Sequence, residues 1–503
     1  MALWYNEFST LSCTATEEKF MPQAAPHWSL HAAGERRGPT ARVLVVGAGM
    51  AGLAAARILH DTGFQVTVLE ARDRIGGRTW TDESLGVPCD LGASWVHGAD
   101  DNPLTDWAEA IGLPLVYTPT SRRRFYRGGS WRSQEEMVRA SWRGVSAAAL
   151  RMWFAERRSA RSRRQSGQAI ALAAAIGPVL DNPVLPLADR RFLAWLISVS
   201  EGVQGAPAEA IDLAEWYPRE ATGVNAMPLG GYRILVADAA AGLDIRCSCA
   251  VDAVAHDRQG VTLYTQAGPF TADAVVITVP LSLLKSQRIV FDPPLPEVKA
   301  AAIDRIGFGG DAVLNKVFLR FPQRFWPDMQ DRCVGLPQEP QGRGFFSNWV
   351  NLEPLLGQPL LVGFASGRTA AKLDREADDA VIVDAALGTL RRMFGCRIPD
   401  ITGYRLTRWL SDPWAGGSYS YAHVACRAGD RAAYAAPIDN RVFFAGEAAA
   451  DVDYGTVQAA LLTGDRAARA IHRQFCCADA PAPRLPYGGW LQAQRQPGSS
   501  REA

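Results

Sequence analysis

The chain has 503 residues, 48% hydrophobic and 21% charged, enough apolar material for two domains with separate cores, which excludes a disordered scaffold. Its formal net charge of +1 gives no general field for nucleic acid or an anionic membrane, and no apolar run approaches the roughly 20 residues that span a bilayer. Nine scattered cysteines and seven histidines without HxxxH or HExxH grouping predict reduced thiols and no metal centre.

Residues 1–40 mix Pro, Ala, Ser and charges without periodicity and read as a flexible extension. They lack a secretory signal, Glu7, Glu17 and Glu18 argue against a mitochondrial presequence, and Arg501-Glu502-Ala503 is no peroxisomal address, so the expected location is cytoplasmic. Residues 43–46 then form a short β-branched run followed at once by Gly47-Ala48-Gly49-Met50-Ala51-Gly52. Gly47 allows a tight turn, Gly49 a close approach by a diphosphate, and Gly52 close packing of the next helix, residues 53–60, on the strand. That helix start favours an anion. A second strand, 65–69, ends in Glu70, placed to accept hydrogen bonds from ribose hydroxyls and to repel a 2′-phosphate. Together these predict a dinucleotide site.

Further strand-like runs fall in 243–279 and 441–444, whereas helical patterns and loops dominate 103–217 and 294–394. The expected fold is α/β: a discontinuous Rossmann-like dinucleotide-binding domain (41–98, 225–293 and 401–475) with an inserted α+β substrate-binding domain (99–224 and 294–400) and a flexible tail from 476 to 503. The arginine-rich segment 122–164 reads as the solvated face of amphipathic helices around Trp142, Leu150, Met152, Trp153 and Phe154 rather than a nucleic-acid arm.

The segment Ala71-Arg72-Asp73-Arg74-Ile75-Gly76-Gly77-Arg78-Thr79, then Asp90-Leu91-Gly92-Ala93-Ser94-Trp95-Val96-His97-Gly98, resembles the flavin amine oxidases, a family that includes polyamine oxidases, monoamine oxidases and lysine-specific histone demethylases. "VVITVPLSLLK", "LNKVFLRF", "WLSDPWAGGSYSY" and "FFAGEAAADVDYGTVQAALLTGDRAA" continue the likeness, in the family's order, over residues 42–475. The resemblance implies FAD and oxidation of an amine: hydride passes from the α-carbon to flavin N5, the imine hydrolyses, and dioxygen reoxidises the flavin to give hydrogen peroxide.

Residue by residue, it implies cofactor contacts from Arg72, Gly77 and Arg78 at the diphosphate, from Gly92, Ala93, Ser94 and Trp95 along the isoalloxazine, and from Val251 at the adenine. Gly446 and Glu447 belong to the same set, as do Thr456 and Val457, which open a helix whose positive end faces the flavin's pyrimidine edge. Lys316 matches the lysine that hydrogen-bonds a water near N5; by spacing alone it would be a strand lysine pointing to solvent. Trp414, Tyr419 and Thr456 match the substrate side, with Tyr419 in an aromatic wall, while His97 and Glu201 point to a di- or polyamine whose distal ammonium a carboxylate could hold. Ser418 stands where monoamine oxidases carry the cysteine bonded to flavin, so the FAD is expected to be non-covalent. The sequence leaves open an L-amino-acid oxidase of the same fold, with the segment Arg122, Arg123, Arg124 holding a carboxylate, and a flavoprotein without oxidase activity.

Overall fold

Residues 42–46 are apolar almost throughout because they form the middle strand of a parallel sheet buried on both faces. The sheet runs Val442–Phe444, Ala274–Ile277, Arg42–Val46, Gln65–Leu69, Asp244–Arg246, so it draws on three distant stretches of chain. The computed structural model describes residues 41–118, 123–127, 130–166, 169–216, 224–326, 333–335, 342–395 and 397–476; the expected extension and nearly all of the expected tail lie outside these.

Alternate side chains of the central strand serve two cores. Val43 and Val45 pack with Leu53, Leu59, Leu461 and Ile471 of the Met50–Asp61 and Val457–Phe475 helices. Leu44 and Val46 pack with Val254 and Leu263 of a four-stranded sheet on the other side. The two helices cross so tightly that a Cβ at Gly464 would lie 2.3 Å from the Ala51 carbonyl oxygen.

A seven-stranded sheet forms the second unit, in the order Gly403–Leu406, Leu314–Arg320, Leu360–Ser366, Phe345–Asn351, Cys333–Gly335, Arg123–Arg127, Ser130–Ser133. This corrects the expectation of helices and loops over 294–394. The strand expected around Lys316 is Leu314–Arg320, with Asn315 to Leu319 all buried, whereas Phe345–Asn351 and Leu360–Ser366, buried on both faces, offer no alternation to read. Val317 and Leu319 pack on Ile382 and Leu390 of the Asp379–Phe394 helix. Phe318 and Val362 pack the other way, on Leu85, Leu91 and Met227 of the first unit.

Three expected boundaries move with these contacts. Ala99, Leu104, Trp107 and Leu113 bury against the helices of the parallel sheet, not in the second unit. Gly403–Leu406 pairs antiparallel with Leu314–Arg320, and Asn225–Pro228 pairs with Leu115–Thr118 across the proposed border. Among the described residues, no helix is long and apolar enough to cross a membrane.

The helix crossing leaves no room for a side chain. Gly464→Val should lower stability by about 1–3 kcal/mol through overpacking, read as a lower denaturant midpoint with an unchanged slope; an unaltered midpoint would mean the crossing has slack.

Candidate active site

Parallel strands end on one edge, so the loops after Val46, Ile277 and Phe444 meet there. Gly47 has φ +104°, and a Cβ on it would lie 2.7 Å from Thr278 Oγ1, whose hydroxyl donates to Val46 O at 2.8 Å. At Gly52 a Cβ would lie 1.9 Å from Gly47 O, so the helix closes directly on the turn. Gly49 and Gly446 differ: no heavy atom lies within 4 Å of where their Cβ would stand. The Met50–Asp61 helix begins there with no side-chain cap and no acid in its first turn, leaving its end positive in character.

The buried Glu70 carboxylate accepts Ala48 N–H at 2.7 Å and Arg72 N–H at 2.9 Å. Its carbonyl accepts Cys249 N–H and that of Arg72 accepts Ser248 N–H, which brings the start of the Val251–His256 strand alongside. The Arg72 guanidinium is gripped by both Asp412 oxygens at 2.7 and 2.8 Å, so its side chain is committed within the protein. Arg74 donates to Gly77 O and lies over Trp80, but its Nη2 is buried with no hydrogen-bond partner. Burial, then neighbouring Arg72, pushes this guanidinium down to about 10. A buried cation with an idle donor calls for an anion, and an adjoining diphosphate would supply it.

Arg78 donates to Ser418 O at 3.0 Å and to Glu447 at 2.9 Å. Glu447 also accepts from the Ser420 hydroxyl at 2.6 Å and from Gly455 N–H at 2.8 Å. Burial alone would push this carboxyl up, but Arg78, Ser420 and Arg431 hold it below the usual range. The two residues expected at the cofactor are thus joined to each other, closing one wall of the groove.

Lys316 does not point to solvent. Its ammonium donates to the carbonyls of Asp90, at 3.0 Å, and Gly92, and to the Ser94 hydroxyl, and lies 5.7 Å from the centre of the Trp95 ring. Burial pushes this ammonium down and the Asp90 carboxylate pulls it back up; Asp90 is itself raised by burial. Gly92 is packed so closely on Arg78 O that a Cβ would overlap it, and Ala93 N–H donates to the same oxygen at 3.1 Å. The Gly92 to Trp95 segment therefore runs between Arg78 and Lys316. Lys316, Ser94 and Trp95 line one end of a small cavity whose other walls include Met227, Leu352 and Phe364.

On the expected substrate side, the Tyr419 hydroxyl donates to Gly202 O at 2.7 Å, its ring lies against Gly205 and Gly455, and burial keeps the hydroxyl protonated. Thr456 caps the Val457–Phe475 helix by accepting Ala459 N–H, and its own hydroxyl donates to Asp453 O. His97 Nδ1 meets Asn225 Oδ1 at 3.0 Å. Glu201 is buried beside the Gly202 carbonyl that holds Tyr419, yet its carboxylate is engaged by Ala208 N–H at 3.0 Å and Arg343 at 3.3 Å. Burial pushes it up to about 6 against the pull of Arg343. The Trp414 ring lies under the Arg288 guanidinium, and its backbone N–H donates to Asp412 Oδ1 at 2.8 Å; no ring contact among the described residues joins it to Tyr419. Arg122 lies outside the described residues, while Arg123 and Arg124 fall on the Arg123–Arg127 strand near the far end of the second sheet.

Arg74, Asp90, Asp412 and Arg343 were not singled out in the sequence. Arg74 and Asp90 lie inside the quoted blocks, where an acid before Gly-Ala-Ser and a third arginine were available signals. Asp412 and Arg343 act across 340 and 142 residues, a pairing that no local pattern carries.

The family model for flavin containing amine oxidoreductases matches residues 50–472. Polyamine oxidase 2 of Arabidopsis thaliana is 36% identical, over 87% of this chain and 89% of its own length. Polyamine oxidase 4 of Oryza sativa subsp. japonica is 35% identical, over 85% and 87%. The solved cyclohexylamine oxidase of Brevibacterium oxydans superposes with a TM-score of 0.69 at 23% identity, over 87% of this chain and 99% of that one, and so shares the fold. Open backbone at Gly49 and Gly446, the ribose-type acid Glu70 and the idle Arg74 donor fit the dinucleotide that this family uses. The chain belongs to the flavin containing amine oxidoreductases and is an FAD-dependent enzyme that acts on amines.

Proposed function

We propose that the enzyme is an oxidase of aliphatic amines, polyamines first, in a cytoplasmic setting. The polyamine oxidases named above support the substrate class. The observation that carries the oxidase reading is the Lys316 ammonium, buried against the Gly92–Ser94 main chain where the flavin ring would lie.

In this reading Glu70 holds the ribose hydroxyls, and Gly49, Arg74, Gly77 and Arg78 receive the diphosphate. Val251 meets the adenine through its backbone, and Gly446, Glu447 and the Thr456–Val457 helix start flank the flavin. Arg72 acts by fixing its loop to Asp412. FAD, when bound, accepts hydride from the amine α-carbon and passes the electrons to dioxygen, giving hydrogen peroxide. Lys316 would turn an Nζ–H to a water or to the reduced oxygen product only by giving up one of its three bonds to Asp90, Gly92 and Ser94. Tyr419, fixed by Gly202, orients the amine and shields it from water, with His97 further along. Glu201 would take a distal ammonium only by displacing Arg343, exchanging one cation for another.

A peroxide assay on purified yellow protein with polyamines, monoamines and amino acids tests the substrate class; turnover confined to amino acids would overturn it. Glu201→Gln should raise KM for diamines roughly 10- to 100-fold more than for monoamines, as for a lost charge-assisted bond of about 1.5–3 kcal/mol. Equal effects would leave Glu201 as a structural partner of Ala208 and Arg343.

Lys316→Met should retain flavin, since the nucleotide contacts lie elsewhere, yet slow turnover by roughly 10- to 100-fold. Rapid mixing of each half-reaction would locate the loss, and wild-type rates in both would remove Lys316 from catalysis. The Ser418 hydroxyl already accepts Leu314 N–H at 3.0 Å and is a poor nucleophile beside a thiolate. Acid or heat denaturation should therefore release all the FAD; yellow colour retained by the precipitated chain would refute this.

A further inference from the structure

The Trp142–Ser166 helix is amphipathic in an unusual sense. Its inner face, with Ala148 and Met152, is buried against Ile176, Leu193 and Ile197, so the second unit's core is already served. Large apolar side chains nevertheless occupy the opposite face: Trp142 is 60% exposed, Leu150 60%, Trp153 45% and Phe154 54%. Trp142, Leu150, Trp153, Arg157 and Arg161 recur at helical spacing along one outward stripe, with Phe154 and Arg143 on its edge. This reverses the sequence expectation, in which the apolar residues were the buried partners of a solvated arginine face.

Charge on the stripe is one-sided. Arg143, Arg157 and Arg161 lie on or beside it with no acid, although the whole chain carries a net charge of only +1; Arg151, off the stripe, donates to Ala175 O at 3.0 Å. Arg157 lies 3.8 Å over the Trp153 ring and Arg143 5.7 Å over that of Trp142, while Trp153 and Phe154 meet edge to face. Arg143 and Arg157 are thus seated on aromatic rings, with no ion pair to an acid among the described residues.

We propose that this face docks on the surface of an anionic lipid bilayer, with the helix lying in the headgroup plane along its roughly 37 Å, at 1.5 Å per residue. Trp, Phe and Leu would enter the boundary between headgroups and acyl chains while the guanidiniums meet lipid phosphates. A second copy of the same face would set arginine against arginine, and a nucleic acid would use the charge but not Leu150. The expectation of no membrane partner rested on spanning length and total charge, and this contact needs neither. It is independent of the amine-oxidase reading.

The test is flotation of the full-length, flavin-loaded protein with phosphatidylcholine vesicles, with and without phosphatidylserine. Binding should be roughly tenfold or more tighter with phosphatidylserine and should weaken at high salt. The double variant Leu150→Ser/Trp153→Ser should lose binding to both vesicles, and Arg157→Gln/Arg161→Gln only the preference for phosphatidylserine. Both should keep wild-type amine turnover and unfolding midpoint, because none of these residues touches the site. Absence of vesicle binding, variants that bind like wild type, a dimer in light scattering that disappears in Leu150→Ser/Trp153→Ser, or binding to duplex DNA without binding to vesicles would each overturn the proposal.

Discussion

A lysine ammonium buried between two units of structure needs acceptors, and Lys316 takes them from the other unit's main chain. An unpaired buried charge is among the most unfavourable features a protein can hold, and removing its partners costs about 3–5 kcal/mol. Here the carbonyls of Asp90 and Gly92 and the Ser94 hydroxyl supply the acceptors, so the seven-stranded sheet must seat on the 90–94 segment for the charge to be tolerated. That segment is in turn fixed to Arg78 O, and Arg78 to Glu447 and Ser418. One chain of polar contacts therefore runs from the second sheet through the turn beneath it to the last stretch of the parallel sheet.

The apolar contacts agree with that path. Phe318, two residues along the same face of the strand from Lys316, packs with Val362 on Leu91 and Met227. Hydrophobic burial presses the two units together where the polar contacts fix their register. Tyr419 extends the arrangement to the Leu187–Gln204 helix through Gly202 O, so a helix of the second unit is referenced to the same frame.

What the sequence made legible was local chemistry. The turn at Gly47, the close approach at Gly52 and the acid at Glu70 sit within one strand–helix–strand unit, where spacing is nearly geometry. Most of the second sheet was not legible, although the strand around Lys316 was, because strands such as Phe345–Asn351 and Leu360–Ser366, buried on both faces, carry no alternation. Nor could spacing show that Glu201 meets Arg343, or that Trp414 meets Arg288 and not Tyr419. The Trp142–Ser166 helix misled for a different reason. Periodicity reports that apolar residues share a face, but which face turns inward depends on the neighbours, and here Ala148 and Met152 had taken that side.

The order of the parallel sheet also sets a schedule. Of the sheet's strands Arg42–Val46 leaves the ribosome first, but its neighbour Ala274–Ile277 follows nearly half the chain later, and the Val442–Phe444 edge, Gly446 and the Val457–Phe475 helix come last. Glu70 and the first glycine turn thus exist long before Gly446 and Glu447. In the proposed reading a chain that ends before Gly446 would carry only part of the FAD contacts, so flavin retention would report that the stretch from Val442 to Phe475 has been made and folded. Yellow colour would then mark molecules folded through that stretch, and the cofactor, by binding them in preference, would stabilise them selectively against the proteolysis that clears the rest.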